Sequence, residues 1–257
     1  MEDPLISIVM PAYNAEKYID KSIESVLNQT YRNIELIIIN DCSKDKTEEI
    51  IEKYCKQDIR VRKYTNQINS GVSFSRNFGV EQANGEWIAF LDSDDIWKEE
   101  KLQKQIDLLN RENMEPLLIY TGSSFIDENE NPYSYIRQVP QTVCYKRLLN
   151  QNVISCSSVL AKKEILSSVK MEYDKMHEDF LVWLKILKNF NVCAYGINEP
   201  LLIYRISKNS KSGNKIKAAK MTYMVYKHIG LNVFQRVYYM IQYTVRSLIK
   251  YKNINKA

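Results

Sequence analysis

The chain has 257 residues, 45% of them hydrophobic and 26% charged. That composition excludes a disordered polypeptide and suffices for one large domain, or one domain with an appendage. The net charge of +5 hides an asymmetry: through Glu199 there are 31 acidic and 24 basic residues, and beyond it 12 basic residues and no acid.

Leu5–Met10 is a short apolar β-branched run and predicts a buried strand. Residues 15–28 show helical spacing, Ile34–Asn40 (IELIIIN) predicts a second strand, and Asp45–Tyr54 a second helix. Val61–Thr65 predicts a short strand. Ser70–Ala83 reads as a helix with Ser70 as N-cap and Asn84-Gly85 as its stop. Trp87–Leu91 predicts a strand running into Asp92-Ser93-Asp94-Asp95, then Lys98–Asn113 a helix and Leu117–Thr121 a strand. Strands alternating with helices imply a mostly parallel sheet covered on both faces, with ligands at the carboxyl ends of its strands. Past Thr121 the rhythm loosens: loops over 122–141, a helix at 145–150, a strand at 155–161, a helix at 179–190, a last strand at 192–197 and a polar link at 207–214.

The tail reads as two helices broken near Gly230. On a helical wheel Phe234, Val237, Tyr238, Met240, Ile241, Val245, Leu248 and Ile249 fall on one side, and Gln235, Arg236, Gln242, Arg246, Ser247 and Lys250 on the other with Tyr239 and Tyr243. Such a helix packs on its own domain, pairs two chains, or lies on an anionic membrane surface.

The N-terminus lacks the basic start and apolar middle of a signal peptide, and no apolar run reaches the ~18–20 residues that span a bilayer. The five cysteines are scattered without a Cys-x-x-Cys pair; with two histidines a zinc site is disfavoured, and free thiols in a reducing cytoplasm are the simplest reading.

Three carboxylates within four residues at a strand end repel one another unless a cation binds there. Magnesium or manganese takes such hard oxygen ligands, usually one or two carboxylates together with substrate phosphates. Pro11-Ala12-Tyr13-Asn14 ends the first strand, Asn40-Asp41-Cys42-Ser43 the second; Arg76 lies in the 70–83 helix, and His177-Glu178-Asp179 opens the 179–190 helix. These elements together suit a phosphorylated, metal-bound ligand.

The segments SIVMPAYNAEKYI from Ser7, NDCSKDKT from Asn40, NSGVSFSRNFG from Asn69, WIAFLDSDDIW from Trp87, HED at His177 and YRISKNSKS from Tyr204 occur in an order that resembles the family 2 glycosyltransferases, inverting nucleotide-sugar enzymes of GT-A fold. The resemblance covers about residues 5–212. It implies a catalytic domain over 1–212, with a nucleotide-binding part to about 120 and an acceptor-binding part over 121–212, followed by a basic helical tail over 213–257. By the same resemblance, Pro11, Ala12 and Tyr13 would line the nucleotide pocket and Asp41 would bond the uracil of a UDP-sugar. Arg76 would approach the base and ribose. Asp92, with Ser93 beside it, would bond the ribose or donor sugar. Asp94 would ligate a divalent metal, with Asp92 as a second ligand, and Asp95 would support it or contact the sugar. Asp179 would be the catalytic base, with Glu178 orienting it.

Two departures stand out. The usual Asp-Asp-Gly-Ser turn reads Asn40-Asp41-Cys42-Ser43, without glycine. The usual Tyr-Arg-x-His reads Tyr204-Arg205-Ile206-Ser207, which leaves Arg205 or a nearby lysine to meet the diphosphate. Thr121–Ser124 and Ser155–Ser158 are candidates for acceptor contact. The basic tail suits a lipid-linked saccharide acceptor on the cytoplasmic face of a membrane, as in capsule or O-antigen synthesis. The rival is a degenerate, non-catalytic binder of sugar nucleotides or of a partner. A nucleic-acid binder is disfavoured by the acidic body and the absence of a recognition module.

Overall fold

A computed structural model describes residues 3–111, 116–172, 174, 176–207 and 215–254. The predicted link at 207–214 falls, from residue 208 on, outside the described residues.

The first half forms β1 (Ile6–Ala12), α1 (Ile19–Leu27), β2 (Ile34–Asn40), α2 (Thr47–Gln57), β3 (Val61–Thr65), α3 (Val72–Gln82), β4 (Trp87–Phe90), β5 (Ile96–Trp97) and α4 (Lys101–Leu109). The second half adds β6 (Leu118–Ile126), β7 (Thr142–Cys144), α5 (Tyr145–Asn150), β8 (Leu160–Lys162), α6 (Lys163–Ser168), α7 (Glu178–Asn189), β9 (Cys193–Arg205), α8 (Lys215–His228) and α9 (Val233–Ile254). One sheet runs in the order β3-β2-β1-β4-β8-β6-β9-β5, with β7 paired to β9.

β1, β2 and β4 are buried along their whole lengths, as continuous apolar strands require when helices cover both faces. On one face α1, α2 and α4 close a core around Ile8, Met10, Leu36, Ile38 and Ala89. On the other, the helices from α5 to α8 pack over Val9, Ile37, Phe90 and Tyr120, with Phe180 and Trp183 at the centre. β1, β2, β3 and β4 are mutually parallel. Beyond β4 the sheet is mixed: β8 runs antiparallel to both β4 and β6, and β9 runs parallel to β6. Parallel pairing therefore dominates, as expected, and only the short strands β5, β7 and β8 run against it.

β6 and β9 both outrun their predicted ends because they pair with each other from Ile119 to Ile126, with a register shift at Gly122. A Cβ on Gly122 would stand 2.8 Å from the Glu199 carbonyl oxygen, so the bulge needs a residue without a side chain. The predicted strand at 155–161 is instead a 3-10 turn, Cys156–Ser158, followed by β8.

The reading of all five cysteines as free thiols is corrected here. Cys144 and Cys193 face each other across the β7–β9 pair and form a disulfide, which their separation of 49 residues did not advertise. Cys42, Cys55 and Cys156 carry free thiols.

α8 is not an appendage to this core. Met221, Val225 and Tyr226 are buried, and the Tyr226 hydroxyl donates to the Leu149 carbonyl. α9 docks through Tyr239, Met240 and Tyr243, with the Tyr243 ring 6.1 Å from Phe180 and that of Tyr239 6.2 Å from Tyr226. The two tyrosines that the wheel put among the polar residues thus form the contact. Phe234 is 87% exposed, and Val237, Tyr238, Ile241, Val245, Leu248 and Ile249 are each more than half exposed.

Candidate active site

The parallel register brings the candidate residues together. Ala12 pairs with Asn40 and Val9 with Phe90, so three strands end side by side. The Asp41 amide donates to the Ala12 carbonyl at 2.8 Å and that of Leu91 to Val9 at 3.1 Å, continuing the ladder into the loops. Pro11 and Ala12 are buried, and Tyr13 beside them is half-exposed.

Asp41 is buried, and its carboxylate accepts from Asn66 Nδ2 at 2.7 Å and from the amides of Ser70 and Gly71 at 2.8 Å each. A second carboxylate, Asp174, accepts from the Ser73 amide at 2.8 Å. The first amides of α3 are therefore satisfied by two distant aspartates, a placement favoured at the positive end of a helix. Ser70 is not the side-chain cap; its hydroxyl donates to the Ile68 carbonyl. Gly71 has φ +90°, and a Cβ there would fall 1.9 Å from Asp174 Oδ2. Cys42, where the usual turn has glycine, sits at φ +61°, a side chain in the left-handed region.

The acidic loop after β4 is pinned from several sides. Ser22 Oγ lies within hydrogen-bond reach of the Ser93 and Asp95 carbonyls, at 2.9 and 2.7 Å, and the Asp92 amide donates to Ser157 Oγ at 3.1 Å. Asp95 is fully buried, and its Oδ1 accepts from the Arg205 amide at 3.0 Å. Arg205 is also buried. Its guanidinium donates to the carbonyls of Asp94 (2.9 Å) and Asp127 (3.3 Å) and to Glu130 (3.4 Å), and it lies 4.2 Å from the Tyr18 ring centroid. Arg205 thus braces the loop from within, and a diphosphate would have to compete with partners already in place. Trp97 packs beneath, its indole donating to the Ser157 carbonyl at 2.6 Å. Of the acceptor candidates, Thr121, Ser123, Ser157 and Ser158 are buried.

Arg76 is 4% exposed, and its guanidinium bridges Asp92 and Glu178, with Nη1 3.0 Å from Glu178 Oε1. It stands between the acidic loop and the start of α7 and is not open to solvent, as a nucleotide contact alone would have it. Asp179 follows Glu178 in the first turn of α7.

The proton affinities of these acids are shifted by burial and by one another. Burial, then the charges of Asp95, Asp94, Asp92 and Asp179, push the Tyr204 hydroxyl above its ordinary range. Burial and then Asp92 raise Asp94 to about 6. Burial, then Asp94 and Asp92, raise Asp95. Burial and then Glu178 raise Asp179, against His177 and Arg76. Acids crowded in this way fit a divalent cation. Asp94 and Asp92 offer hard oxygens, and Asp95 Oδ2 is buried without a hydrogen-bond partner. Among the described residues no three His, Cys, Asp or Glu side chains close around one point, so ligands from the donor phosphates would have to complete the shell.

Sequence reasoning did not single out Asp174 or Ser22, and it offered Ser157 for acceptor contact, whereas its hydroxyl accepts from the Asp92 amide. Each is an isolated residue whose role exists only in three dimensions.

The family described as glycosyl transferase family 2 matches residues 7–163. TuaG of Bacillus subtilis, a glycosyltransferase named for teichuronic acid biosynthesis, is 36% identical over 248 residues, covering 96% of this chain and 97% of its own. WfgD of Escherichia coli, named a UDP-Glc:alpha-D-GlcNAc-diphosphoundecaprenol beta-1,3-glucosyltransferase, is 36% identical over 261 residues and the whole of both chains. Among solved structures, S. aureus TarS 1-349 in complex with UDP-GlcNAc superposes with a TM-score of 0.70 at 21% identity, over 91% of this chain and 70% of that one, a likeness of fold. With these matches, and with the strand ends, the acidic loop and the α7 carboxylates gathered at one place, the chain belongs to glycosyltransferase family 2.

Proposed function

We propose that the protein moves a hexose or N-acetylhexosamine from a UDP-sugar to a hydroxyl of a lipid-linked saccharide, with inversion, in cell-surface polysaccharide synthesis. The observation that carries this reading is the buried Arg76 guanidinium, which pairs with Asp92 of the acidic loop and with Glu178, the neighbour of Asp179. That bridge sets the start of α7 beside the acidic loop. The name of WfgD, which specifies UDP-Glc and an alpha-D-GlcNAc-diphosphoundecaprenol, supports the substrate classes.

In this reading Pro11, Ala12 and Tyr13 flank the nucleotide, and the remaining lone pair of Asp41 meets the uracil. Asp92 and Ser93 face the ribose or sugar. Asp94 and Asp92 would hold a divalent magnesium or manganese ion, which when bound neutralises charge on the departing diphosphate. Asp179 takes the proton of the acceptor hydroxyl; burial beside Glu178 raises its proton affinity and makes it a stronger base. Inversion follows from a single displacement without a covalent intermediate. We place the enzyme at the cytoplasmic face of an anionic membrane. No helix among the described residues is long and apolar enough to cross one, and α9 offers an exposed apolar face with basic flanks.

The test is UDP release from a panel of UDP-sugars with a diphospholipid-linked GlcNAc acceptor, with and without manganese. Asp179→Asn should abolish transfer and leave UDP affinity within about threefold. Asp94→Ala should lose both metal and donor binding. Full turnover by Asp179→Asn would remove the base assignment.

A further inference from the structure

Arg76 lies within α3, buried, with one guanidinium nitrogen on Asp92 and another on Glu178, which is 102 residues away in sequence. Asp92 belongs to the donor loop; Glu178 is the immediate neighbour of Asp179. A hydrocarbon side chain of similar size would fill this space with a smaller desolvation cost. What arginine adds is a planar fork that fixes two carboxylates at once, and a positive charge that cannot be titrated away.

We propose that Arg76 is a positioning residue that couples the donor loop to the base: its fork holds Asp92 in one frame with Glu178, the residue immediately before Asp179. This rests on the reading of Asp179 as the base. The groups acting on Asp179 come from three elements and one turn. Glu178 and His177 lie on and just before α7, Arg76 on α3, Tyr204 on β9, and Cys156 in the turn before β8. Glu178 favours the protonated carboxyl, whereas Arg76 and His177 favour the carboxylate. Removing Arg76 and removing the charge of Glu178 therefore have opposite signs at Asp179. A merely structural brace has no such signature.

The experiment is the pH dependence of kcat for the wild type, Arg76→Gln, Arg76→Lys and Glu178→Gln, with UDP-sugar and acceptor, alongside thermal melting and donor KM. Arg76→Gln should move the acid limb of kcat to higher pH by about one unit and lower kcat at neutral pH by about tenfold. It should also raise donor KM severalfold, because Asp92 loses its partner. Arg76→Lys should return the limb towards wild type. Glu178→Gln should move the limb to lower pH and leave donor KM within about twofold. Overturning results are an unmoved limb in Arg76→Gln, limbs that shift in the same direction in the two neutral variants, or an unchanged donor KM in Arg76→Gln. If Arg76→Gln does not fold, Glu178→Gln and Arg76→Lys decide: an unmoved limb in Glu178→Gln, or a limb raised in Arg76→Lys as far as one unit, ends the proposal. Absence of transfer by the wild type from any UDP-sugar would instead fail the functional reading, and this inference with it.

Discussion

The Gly71 amide donates to Oδ2 of Asp41 at 2.8 Å, so the carboxylate that ends β2 also closes the start of α3. With Asn66 and Ser70 on the other oxygen, three donors fix this side chain before any ligand arrives. Such pre-organisation removes an ordering cost from binding. Asp41→Asn places an NH2 group among donors and leaves one of them unmatched. The expected loss is about 1–3 kcal/mol of stability. A fall in the melting temperature together with at least tenfold weaker UDP binding by calorimetry is the expected outcome; unchanged melting would mean the three donors find other partners.

Cys42 and Gly71 both adopt positive φ at the rim of this pocket, and the two positions should respond oppositely to substitution. Cys42→Gly relieves the left-handed strain of a side chain and restores the residue usual in this turn. It should be neutral to stabilising by up to about 1 kcal/mol in chemical denaturation. Gly71→Ala introduces that strain and drives a Cβ to within 1.9 Å of Asp174 Oδ2. It should cost more than 1–2 kcal/mol and weaken donor binding, since the amides of Ser70, Gly71 and Ser73 must move.

The alternation of β1, β2 and β4 with α1, α2 and α3 was legible because their apolar runs are bounded by polar turns. The acidic loop was legible because Asp92, Asp94 and Asp95 crowd together in sequence. In the second half the helices at 145–150 and 179–190 and the starts of β6 and β9 were legible, but the long pairing of those strands was not. β9 is 13 residues long and carries Pro200, which sequence alone reads as a break, and it exists because β6, β7 and β5 all pair with it. Arg76 was legible as a lone basic residue in a polar motif, yet its burial between Asp92 and Glu178 depends on α7 arriving beside α3. The wheel of α9 found an amphipathic helix but could not tell that Tyr239 and Tyr243 form the docked side, because tyrosine serves a wet face and a packed one alike.

Lys101 offers a test that does not involve the acidic loop. Its side chain is buried, with Nζ 2.9 Å from Gln105 Oε1 and 3.8 Å from the Trp97 ring centroid. Burial lowers its amine well below the ordinary lysine range, while the ring favours the cation. In the pH window between the lowered folded value and the ordinary value near 10.4, the unfolded chain holds a proton that the folded chain lacks. Stability from this group therefore rises with pH across that window. Lys101→Met should stabilise the protein by about 1 kcal/mol near neutral pH, with the advantage shrinking towards pH 10 in denaturant titrations. An advantage that grows with pH would mean that the ring keeps the amine charged.

The exposed face of α9 can be tested without truncation. Cutting the chain before α8 would unroof the core at Met221, Val225 and Tyr226, so loss of function there would say nothing about membranes. Ile241→Glu and Leu248→Glu change only the outward face, because the helix docks through Tyr239 and Tyr243. Each half-exposed side chain contributes about 1 kcal/mol when a lipid interface covers it, and two acidic groups add repulsion from anionic headgroups. The double variant should lose at least tenfold in co-sedimentation with phosphatidylglycerol-containing vesicles at low salt. Its melting temperature and its transfer to a water-soluble acceptor should stay within error of wild type. Tyr243→Ala should do the reverse, lowering the melting temperature through the lost packing on Phe180. If the double variant binds vesicles as wild type does but changes from dimer to monomer in sedimentation velocity, the face belongs to a second copy of the chain.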